Sequence, residues 1–163
     1  MTAQIRESLR YEGEDLTMCA EPLTSYFICT GTAPRFAPVS TALWRCYVGS
    51  WEIVDDHLYL VGIDAALEDG SKATLATIFP DAGDRVFADW FSGTIRIPLG
   101  KMIEYVHSGY SSTYERDMFL DIERGVVVAK RVQQNGVAAP EKPEDDEVST
   151  PTPITRDLFE DLE

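Results

Sequence analysis

The residues best suited to hold a ligand lie in one short segment of the chain. It runs from His107 through Ser108-Gly109-Tyr110-Ser111-Ser112 to Arg116. Hydroxyls, the backbone N–H groups beside a glycine and a guanidinium can together bind a phosphate or a carboxylate. The candidate ligand-binding residues are therefore His107, Tyr110, Ser111, Ser112 and Arg116. The same hydroxyl-rich composition is typical of ordinary turns, so a purely structural loop stays open as the alternative.

Catalytic chemistry has few candidates in this sequence. His57 and His107 are its two histidines, and histidine is the side chain that most often moves protons at neutral pH. A Cys–His hydrolase would pair Cys46 or Cys19 with His107, yet no signature of such enzymes surrounds either cysteine. We therefore name no catalytic residue and expect a protein that is not an enzyme. A small enzyme centred on His107 is the rival hypothesis.

Two other kinds of site are only weakly indicated. Ser111-Ser112-Thr113 and Glu12-Gly13-Glu14 are similar to elements of ADP-ribosyl transferases, but their order along the chain is the reverse of that family's. Asp55, Asp56 and His57 are adjacent to one another and do not have the spacing of a calcium loop. The sequence therefore predicts neither a metal site nor a cofactor.

The cysteines and the hydropathy of the chain indicate its compartment. The three cysteines, at positions 19, 29 and 46, fit neither a disulfide framework nor a pair of zinc ligands. We expect buried thiols in a reducing environment. No apolar run approaches the ~20 residues of a membrane span, and residues 1–10 show no secretory signal. These features predict a cytoplasmic protein.

Half of the excess negative charge lies near the end of the sequence. The formal net charge is −14; residues 141–163 hold nine acids and two bases, and residues 1–140 hold 19 acids and 12 bases, so each part carries −7. Nucleic acids and anionic membranes repel such a chain, whereas a cationic protein is attracted to it over long range. The expected partner is therefore a cationic protein, with no nucleic acid and no membrane. Acidity that serves solubility alone is the alternative.

The elements that must position these residues are mostly strands. Alternating apolar residues flank the turn sequences at Glu12-Gly13, Asp55-Asp56 and Glu123-Arg124-Gly125, and this pattern predicts three hairpins. A fourth hairpin is predicted at Leu99-Gly100-Lys101. Trp44, Cys46 and Val48 alternate as in a strand that leads into the second hairpin. Because strands joined by short turns must be antiparallel, the sheet is expected to be mainly antiparallel.

One or two short helices complete the predicted body. Leu23, Tyr26 and Phe27 share a helical face within residues 22–29. Val128, in the last hairpin, is expected on the buried face of the sheet. The predicted fold class is α+β, an antiparallel-sheet-dominated single domain that covers residues 1–132.

The composition changes at residue 133. Residues 133–163 are rich in proline and acids, so we expect a solvated, disordered acidic tail without a core. Within residues 154–163, Leu158, Phe159 and Leu162 would form one apolar stripe on a helix, and they are the candidate partner-binding residues of a docking motif. The alternatives are a tail without function and a segment that folds back on its own body.

Three stretches resemble a group of uncharacterised bacterial proteins. They are Trp90-Phe91-Ser92-Gly93-Thr94-Ile95-Arg96, Gly100-Lys101 and the segment from Tyr105 to Asp117. The resemblance covers roughly residues 43–128 and implies a bacterial, cytosolic protein. It carries over no activity and no functional residue.

Charge and size suggest a class of function. Small acidic bacterial proteins without a catalytic signature look like the immunity proteins of antibacterial toxin systems. We therefore expect a non-enzymatic cytosolic binding protein, an inhibitor or immunity-type factor for a cationic protein. The alternative is an enzyme or a binding protein for a phosphate- or carboxylate-bearing small molecule that uses residues 107–117.

Overall fold

Eight strands and two short helices follow one another in the computed structural model, which describes residues 2–138. The strands are β1 Glu7–Tyr11, β2 Glu14–Met18, β3 Val48–Val54, β4 His57–Asp64, β5 Val86–Phe87, β6 Gly93–Glu104, β7 Thr113–Glu123 and β8 Val126–Gln134. The helices are α1 Pro22–Thr30 and α2 Leu75–Ile78. This architecture confirms the predicted α+β fold class and the sheet-dominated domain.

All strands belong to one sheet, which curls back on itself. The strand order is β2-β1-β3-β4-β8-β7-β6, and the short β5 pairs with β4. The two ends of this order meet, because the N–H of Cys19, just after β2, donates to the carbonyl of Arg96 in β6 at 2.8 Å. Every strand pair is antiparallel except β1 and β3, which run parallel with Tyr11 opposite Ile53.

Alternate side chains of the strands point into one core. The sequence alternation at β1, β3 and β7 places their apolar residues on the same face of the sheet. The largest fully buried apolar side chains are those of Leu9, Met18, Leu23, Tyr47, Trp51, Leu58, Leu60, Ile95, Ile97 and Leu120. Burial of each such aliphatic side chain contributes about 1.5–3 kcal/mol to folding.

Helix α1 forms where the sequence predicts it and covers one edge of the core. A proline stands in its first turn, and Gly31 ends it in the left-handed conformation, the arrangement expected at helix ends. Leu23 is buried, and the ring of Tyr26 packs against Phe79 and Trp90. The longest helix of the described residues, α1, has nine residues, and neither helix is long and apolar enough to cross a membrane.

The strand expected from Trp44 to Val48 is wrong in its first part. Residues 41–46 form turns, Cys46 has a φ of +66°, and β3 begins only at Val48. Alternation alone misled here, because the turn directs Arg45 inward to meet a buried acid, as described below.

The hairpin predicted at Leu99-Gly100-Lys101 is also wrong. Strand β6 runs through this position and pairs with β7 on both sides of it, Leu99 opposite Arg116 and Met102 opposite Tyr114. Two residues of β6 thus oppose the single residue Glu115, which is a β-bulge and not a turn. The carboxylate of Glu115 accepts the N–H of Lys101 at 2.8 Å.

Val128 is exposed, which contradicts the expectation that it is buried. Asp121 pairs with Ala129 and Ile122 with Val127, so Val128 is the extra residue of a second bulge. Its side chain is 57% exposed. The three hairpins predicted at Glu12-Gly13, Asp55-Asp56 and Glu123-Arg124-Gly125 are present.

The end of the body differs slightly from the expected boundary at residue 132. Strand β8 continues to Gln134. After it, the side-chain amide of Asn135 donates to the carbonyl of Tyr114 at 3.0 Å. The expected docking residues Leu158, Phe159 and Leu162 lie outside the described residues, so that prediction stands as made.

Candidate functional site

The segment from His107 to Ser112, which was singled out in the sequence, connects β6 to β7. Arg96 fixes it through hydrogen bonds. The Arg96 guanidinium donates to the carbonyl of Tyr110 at 2.6 Å and to the carbonyl of Ser112 at 2.8 Å, and its Nε donates to Asp117 at 2.9 Å. Arg96, and not Arg116, is thus the arginine that shapes this loop.

The five predicted ligand-binding residues do not all come together. Tyr110 and Ser112 line a cleft. His107 is exposed with its ring against Tyr105, and Ser111 and Arg116 are also exposed. None of these last three residues lines the cleft. The prediction of a common ligand site therefore has a structural counterpart only at Tyr110 and Ser112.

The cleft has a volume of about 230 Å³ and lies between the start of β1 and the end of β6. Its walls combine one cation, several hydroxyls and apolar groups. The lining residues are Ala3, Gln4, Ile5, Arg6, Cys19, Met102, Tyr105, Gly109, Tyr110, Ser112 and Tyr114. The Arg6 guanidinium lies over the ring of Tyr114, 4.8 Å from its centroid, so a cation–π contact fixes its position.

Arg6 differs from Arg45 and Arg96 and resembles Arg85, which lies over the ring of Tyr59 and likewise has no ion-paired carboxylate among residues 2–138. Arg45 and Arg96 each form an ion pair with a carboxylate at 2.9 Å. Within residues 2–138, no carboxylate lies within ion-pairing distance of Arg6. The charge of Arg6 is therefore available to an anion that enters the cleft.

The rim of the cleft is apolar and exposed. Ile5, Met102 and Tyr105 are exposed large apolar residues, and all three line the cleft. Exposed apolar groups that surround a cation are typical of recognition surfaces, where arginine, tyrosine and methionine are enriched.

Cys19 contributes a thiol to the wall of the cleft. Burial raises the pKa of this thiol, while the nearby Arg96 and Arg6 act in the opposite direction. The raised pKa keeps the thiol protonated at neutral pH, and a protonated thiol is a poor nucleophile. The expectation of three buried thiols is wrong for Cys29, which is exposed, while Cys19 and Cys46 are half-buried; all three are free.

Behind the cleft lies a buried polar network that the sequence analysis missed. The hydroxyl of Tyr110 donates to Glu21 at 3.0 Å, and Glu21 lies 3.5 Å from Arg45 Nη1. Arg45 Nη2 donates to Glu7 at 2.9 Å. The network thus joins a wall of the cleft to the core of the sheet through four side chains.

Glu7 is the innermost member of this network and is fully buried. Burial raises the pKa of its carboxyl to about 7, although Arg45 and the N–H of Gly49 favour the ionised form. Its Oε1 has no hydrogen-bond partner within the described part of the chain. The sequence held one signal of this burial, because Glu7 alternates with Leu9 and Tyr11 and so shares their inward face.

One end of the sheet, where three turns between strands lie side by side, carries several exposed acids. The register places the turns at Glu12-Gly13, Asp55-Asp56 and Arg124-Gly125 side by side, because Tyr11 lies opposite Ile53 and His57 opposite Val126. The exposed acids of this acidic turn end are Glu12, Glu14, Asp15, Asp55, Asp56 and Glu123. Three bases lie among them, since Arg10 pairs with Asp15, Lys130 pairs with Glu12 and Arg124 stands in the third turn. Six acids against three bases leave an excess of negative charge that attracts cations.

The groups that line the cleft indicate what it can bind. Among residues 2–138, no three His, Cys, Asp or Glu side chains come together as metal ligands. The cleft offers the guanidinium of Arg6, a fixed positive charge with N–H donors that can hold an anion. Comparison with models of protein families, with curated proteins and with solved structures finds no match for this chain.

Proposed function

We propose that this chain is a non-enzymatic binding protein whose ligand presents a carboxylate or phosphate to Arg6. One observation carries the proposal: Arg6 lies in a cleft without an acidic partner among the described residues, in a chain with 28 acids and 14 bases. Where acids are in such excess, an arginine without one is available to an external anion. The hydroxyls of Tyr110 and Ser112 stand in the same cleft, where they donate to Glu21 and to the carbonyl of Val106.

The apolar rim supports a ligand that is more than a bare anion. Ile5, Met102 and Tyr105 would cover the apolar part of such a molecule, while Arg6 fixes the orientation of its charged group. The protonated Cys19 and the absence of His107 from the cleft lining support binding without turnover. The rival hypothesis of an enzyme centred on His107 would need His107 at the ligand.

A titration with two simple probes tests this proposal. Benzoate and inorganic phosphate are added to the full-length ¹⁵N-labelled protein, and the amide signals of Arg6, Tyr110 and Ser112 are followed. Arg6→Gln should weaken benzoate binding by at least about tenfold, because a charge-assisted hydrogen bond contributes about 1.5–3 kcal/mol.

The matched control is Arg10→Gln, four residues further along the chain, in β1. Arg10 is exposed and pairs with Asp15 away from the cleft, so this variant should bind benzoate like the wild type. Equal benzoate affinity of Arg6→Gln and Arg10→Gln would refute the assignment of Arg6. Shifts on phosphate but not on benzoate would restrict the ligand class to phosphates.

The acidic turn end supports a second candidate function, the binding of a cationic protein by an inhibitor or immunity-type factor. Its supporting observation is the convergence of three turns that carry acids. Exposed charges of one sign steer a partner of opposite sign, and salt screens this attraction over roughly 10 Å. The association rate with such a partner should therefore fall steeply between low and physiological salt.

Copurification from the source cell followed by salt titration tests the second candidate. Asp55→Asn with Asp56→Asn should slow association, whereas Asp64→Asn with Glu68→Gln, exposed at the other end of β4, should not. An association rate independent of salt would remove the acidic turn end from the mechanism. A cytoplasmic location belongs to the same proposal and is supported by the three free thiols, which fit a reducing compartment.

A further inference from the structure

One edge of strand β8 is open along most of its length. On one side, β7 pairs with β8 from Val126 to Gln134. On the other side, β4 pairs with β8 only at its start, where His57 lies opposite Val126. Among residues 2–138, no strand pairs with residues 128–134 on that second side. Residues 128–134 are all exposed.

The alternation of the strand shows which backbone groups point out of this open edge. The N–H of Asn135 donates to the carbonyl of Glu115 in β7 at 2.8 Å, so it points toward β7. In an antiparallel ladder, successive residues direct their N–H and C=O groups to opposite sides. Lys130, Val132 and Gln134 therefore direct theirs away from β7. An exposed row of such groups is a template for a further strand.

Val132, at the centre of this row, lies at the margin of the core face of the sheet. It pairs with Met118 of β7, which is 5% exposed, whereas Val132 itself is 50% exposed. Paired residues of neighbouring strands share one face of the sheet. Within residues 2–138 no strand lies beyond Val132 to cover it. A further strand beside β8 would bury this side chain as well as satisfy the open backbone groups.

The charges of the open edge are balanced by acids of the same chain. Lys130 lies 3.6 Å from a carboxylate oxygen of Glu12, and Arg131 lies 3.0 Å from one of Asp121. The edge therefore gives a strongly charged strand of either sign little electrostatic advantage. What it offers is a row of backbone groups around a β-branched residue, which suits a strand rich in valine.

Strand β8 of a second copy is a strand of this kind. In an antiparallel pair centred on Val132, the two Val132 side chains meet on one face. Lys130 of each copy then lies opposite Gln134 of the other, and Arg131 lies opposite Gln133. No like charges face each other in this register, whereas like charges in opposite positions would destabilise the pair.

We propose that two copies of this chain pair through the open edges of their β8 strands, antiparallel and centred on Val132. Lys130, Val132 and Gln134 of each copy exchange backbone hydrogen bonds with the other copy. Because a two-fold axis uses the same edge on both copies, the dimer is closed and does not grow into a filament. This interface is independent of the Arg6 cleft.

Sedimentation velocity of the full-length protein over a wide range of concentration tests the proposal. The wild type should change from monomer to dimer as the concentration rises. Val132→Pro should stay monomeric, because it removes the central outward N–H, and an edge strand accepts proline where the N–H faces solvent. Val132→Ile keeps the N–H and the apolar contact, so this control should dimerise like the wild type. Circular dichroism checks that both variants are folded.

A second pair of variants tests the register without changing the backbone. Gln134→Lys brings a positive charge opposite Lys130 of the other copy and should weaken the dimer by about two- to tenfold, and Gln134→Glu should strengthen it by a similar factor. Equal dimer affinities of these two variants would overturn the register centred on Val132.

The remaining outcomes decide whether a second copy occupies the edge at all. A wild-type protein that stays monomeric at every concentration overturns the proposal, and so does a folded Val132→Pro that dimerises like the wild type. Hydrogen exchange at the Lys130 and Val132 amides should become slower as the protein concentration rises. Protection that does not depend on concentration would assign the occupant to the same chain and overturn the pairing of two copies.

Discussion

Arg45 Nη2 lies 2.9 Å from Oε2 of Glu7, and the two side chains are 6% and 0% exposed. The contact joins β1 to the turn that precedes β3, across 38 positions of sequence. Both charges are removed from water, and desolvation of such a pair offsets much of its mutual attraction. The raised pKa of Glu7 indicates that desolvation is the larger effect for this carboxyl.

Glu7→Gln should therefore change how stability depends on pH. The pKa of Glu7 rises from 4.5 to about 7 on folding, so the folded protein binds the extra proton between these values. Its stabilising contribution is complete below pH 4.5 and is lost as the pH rises through 7, a difference of about 3 kcal/mol. Urea unfolding of wild type and Glu7→Gln from pH 4.5 to 8 should show the variant gaining about that much relative to wild type. Parallel curves would contradict the assignment.

Removal of the Arg45 side chain should lower the free energy of unfolding at high pH. Arg45→Met leaves an ionised Glu7 without its main counter-charge, and breaking a buried ion pair in this way costs about 3–5 kcal/mol. Arg10→Met, which breaks the exposed pair with Asp15, should cost no more than about 1 kcal/mol. Denaturant unfolding at pH 8 measures both, and equal costs would show that burial of the Glu7 pair has no energetic effect.

The close approach of β3 to Glu7 depends on Gly49. A Cβ at this position would lie 2.6 Å from Trp51 Nε1 and 2.8 Å from Glu7 Oε1. Gly49→Ala should therefore destabilise the protein by about 1–3 kcal/mol through overpacking. Gly62→Ala on the neighbouring β4 is the control, because its nearest atom would be Ser50 Cβ at 3.7 Å. A difference in melting temperature between the two variants is the expected result.

The exposure of Val128 leads to a prediction opposite to the one the sequence suggests. Val128→Asp should change the unfolding free energy by no more than about 0.5 kcal/mol, as is usual at exposed positions. Leu120→Ala on β7 is the contrast, because Leu120 is fully buried and such truncations cost about 2–5 kcal/mol. A large loss of stability in Val128→Asp would mean that β8 pairs in a different register.

The sequence predicted those parts of the fold that are coded locally. The turns at Glu12-Gly13 and Asp55-Asp56 and the helix at Pro22–Thr30 depend on neighbouring residues, and the structure confirms them. Gly100 was misread because a bulge and a hairpin turn use similar residues. Local patterns therefore predicted most elements but not how two of them continue.

The candidate site is built from residues far apart in sequence, which explains why most of it escaped prediction. Arg6 meets Tyr114 across the closure of the sheet, and nothing near either residue signals the other. Tyr110 and Ser112 were found because their segment is rich in hydroxyls. The alternation along β1 turns Glu7 inward and so indicates a buried acid. It does not indicate that Arg45 is the counter-charge.

The parallel pairing of β1 with β3 has a consequence for the order of events as the chain is made. The hairpin of β1 and β2 leaves the ribosome before β3, and residues 19–47 must follow before β3 can dock beside it. Until then Glu7 stays hydrated and ionised at neutral pH, since nothing yet removes it from water. Burial beside β3 then raises the pKa of Glu7 to about 7, so near pH 6 the docking of these strands is accompanied by uptake of a proton from solvent.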